Sequence, residues 1–402
     1  MLLESEIEAV LESQKNKYQD VKDLITRLIF NQLRFDTGFV LIITGVRRCG
    51  KSTFARQLLS RNHIKGSFLN LEDPRLDGFD LQDFVKLDRI QSQMDKTYFR
   101  VFDEIQNVHD WEKYIRSGQE SGFNYLLTGS NATMLSQELG TRLTGRHLSY
   151  EMFPFSFNEY LVFTGQVPGK SGLEGYLNDG GFPEYLRYHE PEILNRLLDD
   201  ILYRDITARH GIKHHEQLRQ LAIFLISNAG KPVTYNSLGK QFGFGSPNTV
   251  LDYMAHLEES YLIFQVFKFD YSLKNRLKNP RKVYTIDPGF ATANSLSFSA
   301  DTGRKLENTV FLNLRRKYKE IYYFADKGEC DFVVRKPDGT TEAIQVCTQL
   351  DPDNLKRETT GLIEALNFFN LSEGTILTLD QEDLLDLSGK HIWLIPAWKW
   401  LD

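Results

Sequence analysis

A glycine-rich stretch near the start of the chain has the residue types that bind phosphate groups. Residues 45–52 read Gly-Val-Arg-Arg-Cys-Gly-Lys-Ser and match the pattern G-x-x-x-x-G-K-[ST]. Glycines let a backbone wrap so that its N–H groups face a β-phosphate, and the following helix turns its positive end to the same anion. Lys51 is expected to bridge the β- and γ-phosphates of ATP, and the Ser52 hydroxyl to bind Mg²⁺. The predicted nucleotide-binding residues of this loop are Gly45, Arg48, Cys49, Gly50, Lys51, Ser52 and Thr53.

Two acidic residues end an apolar stretch about fifty residues later. Residues 98–102 are followed directly by Asp103 and Glu104. Asp103 is expected to hold Mg²⁺ through water, and Glu104 to polarise the attacking water as a general base. A strand that ends in Asp-Glu is common by itself. Its position after the glycine-rich loop predicts a Walker B motif that completes a Walker A motif.

Polar residues after a third predicted strand could contact the same water. The strand at 125–128 is followed by Gly129, Ser130 and Asn131. Ser130 or Asn131 is a candidate sensor of the attacking water or the γ-phosphate, although a simple polar turn explains the same residues. Asn70, at the end of another predicted strand, could hold Glu104 inactive until a ligand binds.

Two arginines follow in the segment Thr-Arg-Leu-Thr-Gly-Arg at 141–146. Arg142 or Arg146 could act as a finger on the transferred phosphoryl group, in its own subunit or in a neighbour. Either could instead be a surface residue or a salt-bridge partner.

These side chains require a parallel sheet to position them. Residues 38–44 are continuously apolar and rich in β-branched types, which predicts a strand buried on both faces. Further strands are predicted at 67–71, 98–102, 124–128 and 147–153, with helices between most of them. Strands and helices that alternate in this way predict an open α/β sheet with right-handed crossovers.

Composition sets the class of protein. The chain has 402 residues, 41% of them hydrophobic, and a net charge of −6, which excludes wholesale disorder and predicts two or three domains. The apolar runs are too short for a membrane helix and the acidic N-terminus is unlike a signal peptide, so no membrane partner is expected. The cysteines at 49, 330 and 347 lack metal-ligand spacing and are too scattered for a disulfide framework, which predicts a cytoplasmic location.

The middle of the chain is locally basic. Residues 213–300 hold ten Lys or Arg against six Asp or Glu. Helical runs at 218–227, 235–242 and 247–259 precede a predicted strand at 261–269, which is the element order of a winged helix. Basic residues interleaved with aromatics follow and could contact DNA phosphates from a wing, although winged helices also bind proteins. The predicted contacts are Lys268, Lys274, Arg276, Lys278, Arg281 and Lys282.

Taken together, the motifs resemble bacterial and archaeal AAA-type P-loop ATPases that carry a winged helix and a C-terminal restriction-endonuclease-like domain of uncharacterised function. The segments that carry the resemblance span almost the whole chain: 45–53, 70–75, 102–106, 127–131, 145–157, 181–184 and 395–401. The resemblance implies an α/β fold with N-terminal helices (1–34), an ATPase core (35–163), a helical lid (164–212), a winged helix (213–285) and a nuclease-like domain (286–402). In that family a Gly-x-Pro turn of the lid lies near the base of the bound nucleotide, so Pro183 is the matching candidate for contact with that base. The alternative is that Pro183 belongs to a simple helix-breaking turn.

The C-terminal domain carries most of a PD-(D/E)xK nuclease pattern. Such a site needs a helix acid, an Asp on one strand and (D/E/Q)-x-Lys on the next, with carboxylates that bind Mg²⁺. The matching residues here are Glu307, Asp331, Gln345 and Cys347. A thiol cannot supply the positive charge of the missing lysine, so a nuclease-like fold that has lost cleavage is predicted. Lys327 and Lys356 are the candidates for a relocated lysine.

The function predicted from the sequence is that of an ATP-hydrolysing switch or motor that uses ATP and Mg²⁺ and acts on double-stranded DNA or a DNA-associated protein. The alternatives are a nuclease effector gated by ATP and a scaffold in which nucleotide binding supports protein contacts. Because a finger from one subunit can complete a neighbour's site, assembly into a homo-oligomer is also an expectation.

Overall fold

The structure, a computed structural model, describes residues 2–15, 21, 24–130, 145–295 and 301–401. It divides into two compact units, Met1–Phe153 and Pro154–Asp402. In the described ranges no helix combines the length and the apolar character that crossing a membrane requires.

The first unit is built on a five-stranded sheet in the order β2-β3-β4-β1-β5, and every neighbouring pair is parallel. This confirms the predicted open α/β sheet. The elements of this unit are α1 (Glu4–Lys15), β1 (Val40–Thr44), α2 (Lys51–Ser60), β2 (Gly66–Asn70), α3 (Leu81–Ile90), β3 (Phe99–Asp103), α4 (Trp111–Glu120), β4 (Asn124–Gly129) and β5 (His147–Glu151).

Aromatic packing holds the helices against this sheet. All residues of β1 and β3 are buried, as expected of strands covered on both faces. On one face Phe84 of α3 contacts Phe102 of β3 edge to face, with ring centroids 5.3 Å apart, and stacks on Tyr114 of α4 at 4.1 Å. These contacts fix the position of β3 in the unit. The last residue of β3 is the predicted metal ligand Asp103.

The N-terminal segment departs from the helical prediction. The apolar spacing at 21–29 predicts a helix, but the described residues 24–27 are not helical and a short 3₁₀ turn follows at Leu28–Gln32. The carbonyl oxygens of Leu24 and Ile25 instead accept hydrogen bonds from Nε2 of Gln57, both at 3.1 Å. A side chain of α2 thus satisfies carbonyl groups that a helix would have used internally.

The second unit begins with helices and ends in α/β structure around one mixed sheet of nine strands, ordered β13-β14-β12-β11-β10-β9-β7-β8-β6. Its helices are α5 (Phe157–Thr164), α6 (Lys170–Asp179), α7 (Pro183–Tyr188), α8 (Pro191–Asp200), α9 (Ala208–His210), α10 (His215–Ser227), α11 (Tyr235–Gln241), α12 (Pro247–Glu259), α13 (Leu273–Lys278), α14 (Pro288–Asn294), α15 (Thr302–Lys317), α16 (Leu355–Phe368) and α17 (Ala397–Trp400). Its strands are β6 (Pro232–Val233), β7 (Ile263–Lys268), β8 (Arg281–Thr285), β9 (Glu320–Ala325), β10 (Glu329–Arg335), β11 (Thr341–Val346), β12 (Glu373–Thr378), β13 (Asp383–Leu387) and β14 (Lys390–Pro396). A π-helical turn, Ile201–Thr207, joins α8 to α9.

One strand pairing joins two segments that the sequence analysis treats as separate domains. β7 and β8 are antiparallel, and β6 pairs with the far edge of β8. The other edge of β7 pairs in parallel with β9, where Phe267 faces Tyr322. The strands of residues 232–285 and those of the C-terminal part therefore form one continuous sheet.

Candidate functional site

The glycine-rich loop lies where it can bind phosphate, between the carboxyl end of β1 and the first turn of α2. Gly50 caps α2 with φ +103°, and Gly45 has φ +155°. A Cβ atom on Gly45 would lie 2.0 Å from the carbonyl oxygen of Met152, so only glycine fits there. The backbone at Met152, directly after β5, is thus packed closely against the loop.

This contact gives a testable prediction. Gly45→Ala should weaken ATP binding about tenfold or more, because relieving the overlap with Met152 displaces the loop at a cost of about 1–3 kcal/mol. A fluorescent ATP analogue titrated into the full chain measures the affinity. Gly122→Ala is the matched control, since Gly122 also has a positive φ but faces open space. Equal affinities for the two variants would contradict the prediction.

Lys51 is almost fully buried, with 4% of its surface exposed. Its Nζ donates hydrogen bonds to the carbonyl oxygens of Gly45 at 2.9 Å and Val46 at 3.0 Å, and lies 4.0 Å from Oε1 of Glu104. The loop and the end of β3 are therefore held together through this ammonium group.

Asp103 has the features of a cation ligand. It is fully buried; its Oδ1 accepts a hydrogen bond from Oγ1 of Thr128, and its Oδ2 has no hydrogen-bond partner among the described residues. Burial and the neighbouring Glu104 raise the pKa of Asp103 to about 6, against the opposing effect of Thr128, Ser52 and Lys51. An orphaned carboxylate oxygen beside the Ser52 side chain is an oxygen-donor set suited to Mg²⁺.

Glu104 is held by a residue that the sequence analysis did not consider. Its backbone has φ +55°, and its N–H donates to Oγ1 of Thr128 at 3.2 Å. Nε2 of Gln106 donates to Oε2 of Glu104. The role predicted for Asn70 is not supported, because its Oδ1 accepts from the Glu72 N–H at 2.8 Å. Gln106 lies two residues after Glu104, and the 3₁₀ turn at Ile105–Asn107 returns its side chain to the Glu104 carboxylate.

Arg27 supports the loop from the N-terminal segment. Its guanidinium group is buried, with Nη1 donating to the carbonyl oxygen of Cys49 at 2.9 Å and Nη2 to that of Phe153 at 2.6 Å. Nothing in the sequence around residue 27 indicates this role, since the contacts come from residues 22 and 126 positions away.

The remaining predicted residues of the nucleotide site fall in three places. Ser130 directly follows β4 at the same edge of the sheet, and its Oγ is buried without a hydrogen-bond partner in the described part of the chain. Asn131 and Arg142 lie outside the described residues. Arg146 is exposed and precedes β5, where Val40 pairs with His147.

The position of Arg146 corrects one reading of it as a finger. Because β5 runs parallel to β1, the residue before β5 lies at the edge of the sheet opposite to the glycine-rich loop. At about 3.3 Å per residue, the five residues of β1 separate the two edges by about 17 Å. Arg146 therefore does not belong to the site of its own subunit.

A second cluster of charged residues lies on the nine-stranded sheet. Nζ of Lys282 lies 2.9 Å from Oε1 of Glu307, 2.8 Å from Oδ1 of Asp331 and 2.8 Å from Oε1 of Glu329. We call these four residues the ion cluster. The Tyr284 hydroxyl donates to Glu307 at 2.7 Å. Burial first, and then the Asp331 charge, raise the pKa of Glu307 to about 7. The carboxylates raise the pKa of Lys282 well above its usual value in spite of burial, so the ammonium stays charged.

The structure brings together the predicted nuclease-like residues, but the lysine beside them is neither of the two candidates for a relocated lysine. Oε1 of Gln345 accepts from the Asp331 N–H at 3.2 Å, and its Nε2 donates to Glu358 at 2.9 Å. Cys347 is buried, and burial raises the pKa of its thiol to about 12, so it is neutral. Lys327 and Lys356 line a cleft of about 790 Å³ beside Glu329 and Gln345. The lysine that donates hydrogen bonds to the carboxylates of Glu307 and Asp331 is Lys282.

Burial also corrects the predicted nucleic-acid contacts. Lys282 is 1% exposed and Arg281 is 4% exposed, with the Arg281 guanidinium 4.1 Å from the centroid of the Tyr235 ring. Neither can reach a phosphate at the surface. Lys274 and Lys278 are exposed on α13, while Lys268 and Arg276 are half-buried, the latter lying over the Tyr322 ring at 5.2 Å.

Pro183 is the first residue of α7, and the turn before it is anchored inside the second unit. The Gly181 N–H donates to Oδ2 of Asp287 at 2.6 Å. A Cβ on Gly181 would lie 2.2 Å from the carbonyl oxygen of Phe155. Contact of Pro183 with the base of the nucleotide stays a prediction.

Comparison with known proteins gives two matching family models. Residues 37–161 match an AAA domain, and residues 170–301 match a domain of unknown function, DUF8612. An uncharacterized protein of Methanocaldococcus jannaschii is 33% identical over 411 residues, which cover 94% of this chain and 90% of that protein. An uncharacterized protein of Haemophilus influenzae is 34% identical over 327 residues, covering 75% and 81% of the two chains.

Two solved structures give the level of structural similarity. The Aeropyrum pernix ORC1 protein in complex with DNA has 12% identity and a TM-score of 0.32, covering 71% of this chain and 91% of that one. The Thermotoga maritima RuvB Holliday junction branch migration motor has 14% identity and a TM-score of 0.31, covering 64% and 88%. The extended sequence identity is what assigns the family: the chain belongs to the family of the Methanocaldococcus jannaschii protein, and its residues 37–161 match the model of an AAA domain.

Proposed function

We propose that the chain is an ATP-hydrolysing AAA-type switch or motor that acts on double-stranded DNA or on a DNA-associated protein. The observation that carries the proposal is the convergence of Lys51, Asp103 and Glu104 at the carboxyl edge of the parallel sheet. Three charged groups of these types, two of them buried, have no structural need to meet beside a glycine-rich loop. A bound triphosphate with Mg²⁺ requires a cation, a metal ligand and a base at such a place.

ATP binding follows from the loop. The Lys51 ammonium group would exchange the carbonyl oxygens of Gly45 and Val46 for β- and γ-phosphate oxygens. Ser52 and Asp103 would hold Mg²⁺, which neutralises the charge that develops on the phosphates. Thr128 orients the metal ligand by donating to one oxygen of Asp103, and so leaves the other oxygen for the cation.

Hydrolysis requires a base that faces the γ-phosphate. Glu104 is that base in this proposal, and Ser130 is the candidate sensor beside it. Gln106 and Lys51 both engage the Glu104 carboxylate. Once Lys51 turns to a phosphate, the carboxylate loses one of these partners and can accept a hydrogen bond from water. Nucleotide binding and base activation are thereby linked.

The proposed DNA contact rests on the second unit. The order α10-β6-α11-α12-β7-β8, with β6 and β7 on opposite sides of β8, supports a winged helix. The end of β7 and the segment that follows it carry the half-buried Lys268 and Arg276 and the exposed Lys274 and Lys278, near the exposed Tyr271. Lysine and arginine heads at a surface beside an exposed ring are suited to phosphate and sugar contacts.

The edge position of Arg146 limits how it could act as a finger. An arginine on the far edge from its own loop can act as a finger only on the nucleotide of another subunit. We therefore include a homo-oligomer in the proposal. DNA cleavage is not included, because the Lys282 ammonium group lies between the carboxylates that a catalytic cation would need and Cys347 is neutral.

The experiment is the rate of ATP hydrolysis with and without double-stranded DNA, together with the molecular mass with and without nucleotide. We expect DNA to raise the rate, and Lys274→Glu with Lys278→Glu to remove the stimulation while the basal rate stays. Lys113→Glu with Lys170→Glu is the control, since these exposed lysines give the same charge change elsewhere. If DNA does not change the rate of hydrolysis and nucleotide does not change the molecular mass, the proposed action on DNA and the assembly are contradicted. The scaffold alternative is then favoured.

A further inference from the structure

Two histidines and a glutamate meet where two helical segments end in the second unit. His210 is the last residue of α9, and His256 and Glu259 lie three residues apart near the end of α12. Nε2 of His210 lies 3.9 Å from Oε2 of Glu259, and Nδ1 of His256 lies 3.5 Å from the same oxygen. The imidazole rings stack with centroids 3.7 Å apart. The three donor atoms all lie within 4.8 Å of one another.

These separations suit a metal ion better than a hydrogen bond. Nδ1 of His256 is buried and has no hydrogen-bond partner among the residues that the structure describes. A buried ring nitrogen is rarely left in that state. In a tetrahedral zinc site with bonds of about 2.0–2.2 Å, neighbouring donor atoms are about 3.3–3.5 Å apart. The Glu259 oxygen is at or within a few tenths of an ångström of this separation from each ring nitrogen. Because the two rings stack with an interplanar angle of 21°, one imidazole must also rotate for both nitrogens to face the same ion.

Negative charge gathers at this cluster, although the neighbouring Arg209 opposes it with one positive charge. The segment from Pro191 to His210 and the helix α12 both end at this point, and helix C-termini carry partial negative charge. Glu259 adds a full negative charge. Between 22% and 27% of each of the three side chains is exposed, so an ion from solvent can reach the donors.

We propose that His210, His256 and Glu259 bind one divalent transition-metal ion of the zinc class, with a water molecule in the fourth position. Two imidazoles and a carboxylate are ligands that zinc accepts, and hard cations such as Mg²⁺ prefer all-oxygen sites. The ion ties the end of the segment from Pro191 to His210 to α12. In the proposed winged helix, α12 is the third helix, so metal binding fixes its position. The metal site itself does not depend on that assignment.

The test uses the full chain, freed of metal with a chelator and without nucleotide. We expect one equivalent of Zn²⁺ to bind, measured by equilibrium dialysis and metal analysis. Co²⁺ as a probe should give visible absorption bands that Zn²⁺ then removes. His210→Ala and His256→Ala should each lose the bound equivalent, and so should His256→Asn, which keeps a polar side chain of smaller size.

Two controls separate this site from other metal-binding groups. His215→Ala removes a histidine whose nearest carboxylate, that of Glu216, lies 4.0 Å away, and should keep the bound equivalent. Asp331→Asn removes a carboxylate of the ion cluster and should keep it too. Failure of the unmodified chain to bind stoichiometric Zn²⁺, or undiminished binding by His256→Asn, overturns the proposal.

Discussion

Lys51→Ala should abolish measurable ATP binding and lower the rate of ATP hydrolysis by about 100-fold or more, the loss seen when one preorganised donor to a developing charge is removed. The buried ammonium group is held at the mouth of the loop, 4.0 Å from Glu104. Alanine leaves the β- and γ-phosphate charges without this partner. Isothermal titration with ATP and a phosphate-release assay measure the two effects.

Two further variants make the result specific. Lys51→Met keeps the length of the side chain without its charge, and should be as inactive as alanine if charge is what matters. Lys113→Ala removes an exposed lysine of the same unit and should hydrolyse ATP normally. Thermal unfolding checks that each variant is folded. Unchanged turnover in a folded Lys51→Met variant would exclude the glycine-rich loop as the nucleotide site.

Lys282→Met should destabilise the second unit by about 3–5 kcal/mol, the cost of removing one partner from a buried ion pair. Without its ammonium group, Glu307 and Asp331 keep their burial and face each other. Burial and the Asp331 charge already raise the pKa of Glu307 to about 7 in the unmodified chain, and loss of the ammonium group raises that pKa further above its value in the unfolded chain. Because the folded state then binds more protons, its stability falls as the pH rises through that window.

The loss of stability should therefore be larger at pH 8 than at pH 5.5, and urea unfolding of the full chain at the two pH values measures it. Lys274→Met, which changes an exposed lysine on α13, should cost little at either pH. Adding Asp331→Asn to Lys282→Met should restore part of the stability, since it removes the uncompensated charge. An equal, small effect of both lysine variants would contradict the role given to Lys282.

The nucleotide site is the part that local sequence could predict. The residue types at Lys51, Ser52, Asp103 and Glu104 follow from two short motifs, and the apolar runs before the motifs predict two strands of one parallel sheet. In the structure β4 lies between these two strands, β1 and β3. Since the carboxyl ends of parallel strands share one edge, the motifs had to meet there. The helix and strands predicted between 306 and 347 are likewise confirmed, because strong alternation and periodicity mark them.

The ion cluster could not be predicted in this way. Lys282 meets Glu307 and Asp331 across separations of 25 and 49 residues. Its neighbours along the chain, a basic and aromatic stretch, favour a surface assignment on composition alone. Which lysines of that stretch turn inward depends on the pairing of β8 with β7, and hence on which face of the strand packs against α15. Arg146 differs from Lys282, because its edge of the sheet follows from the predicted strand at 147–153 and from the parallel strand direction.

The parallel pairing of β7 with β9 limits how this chain can be shortened. If the residues after 301 were removed, the edge of β7 would lose its partner and present unsatisfied N–H and C=O groups, a template for intermolecular strand addition. The same cut would remove Glu307, Glu329 and Asp331 and leave a buried ammonium group unneutralised. A fragment ending before α15 is therefore prone to aggregate, and the proposed DNA-contacting segment has to be dissected by point substitutions in the full chain.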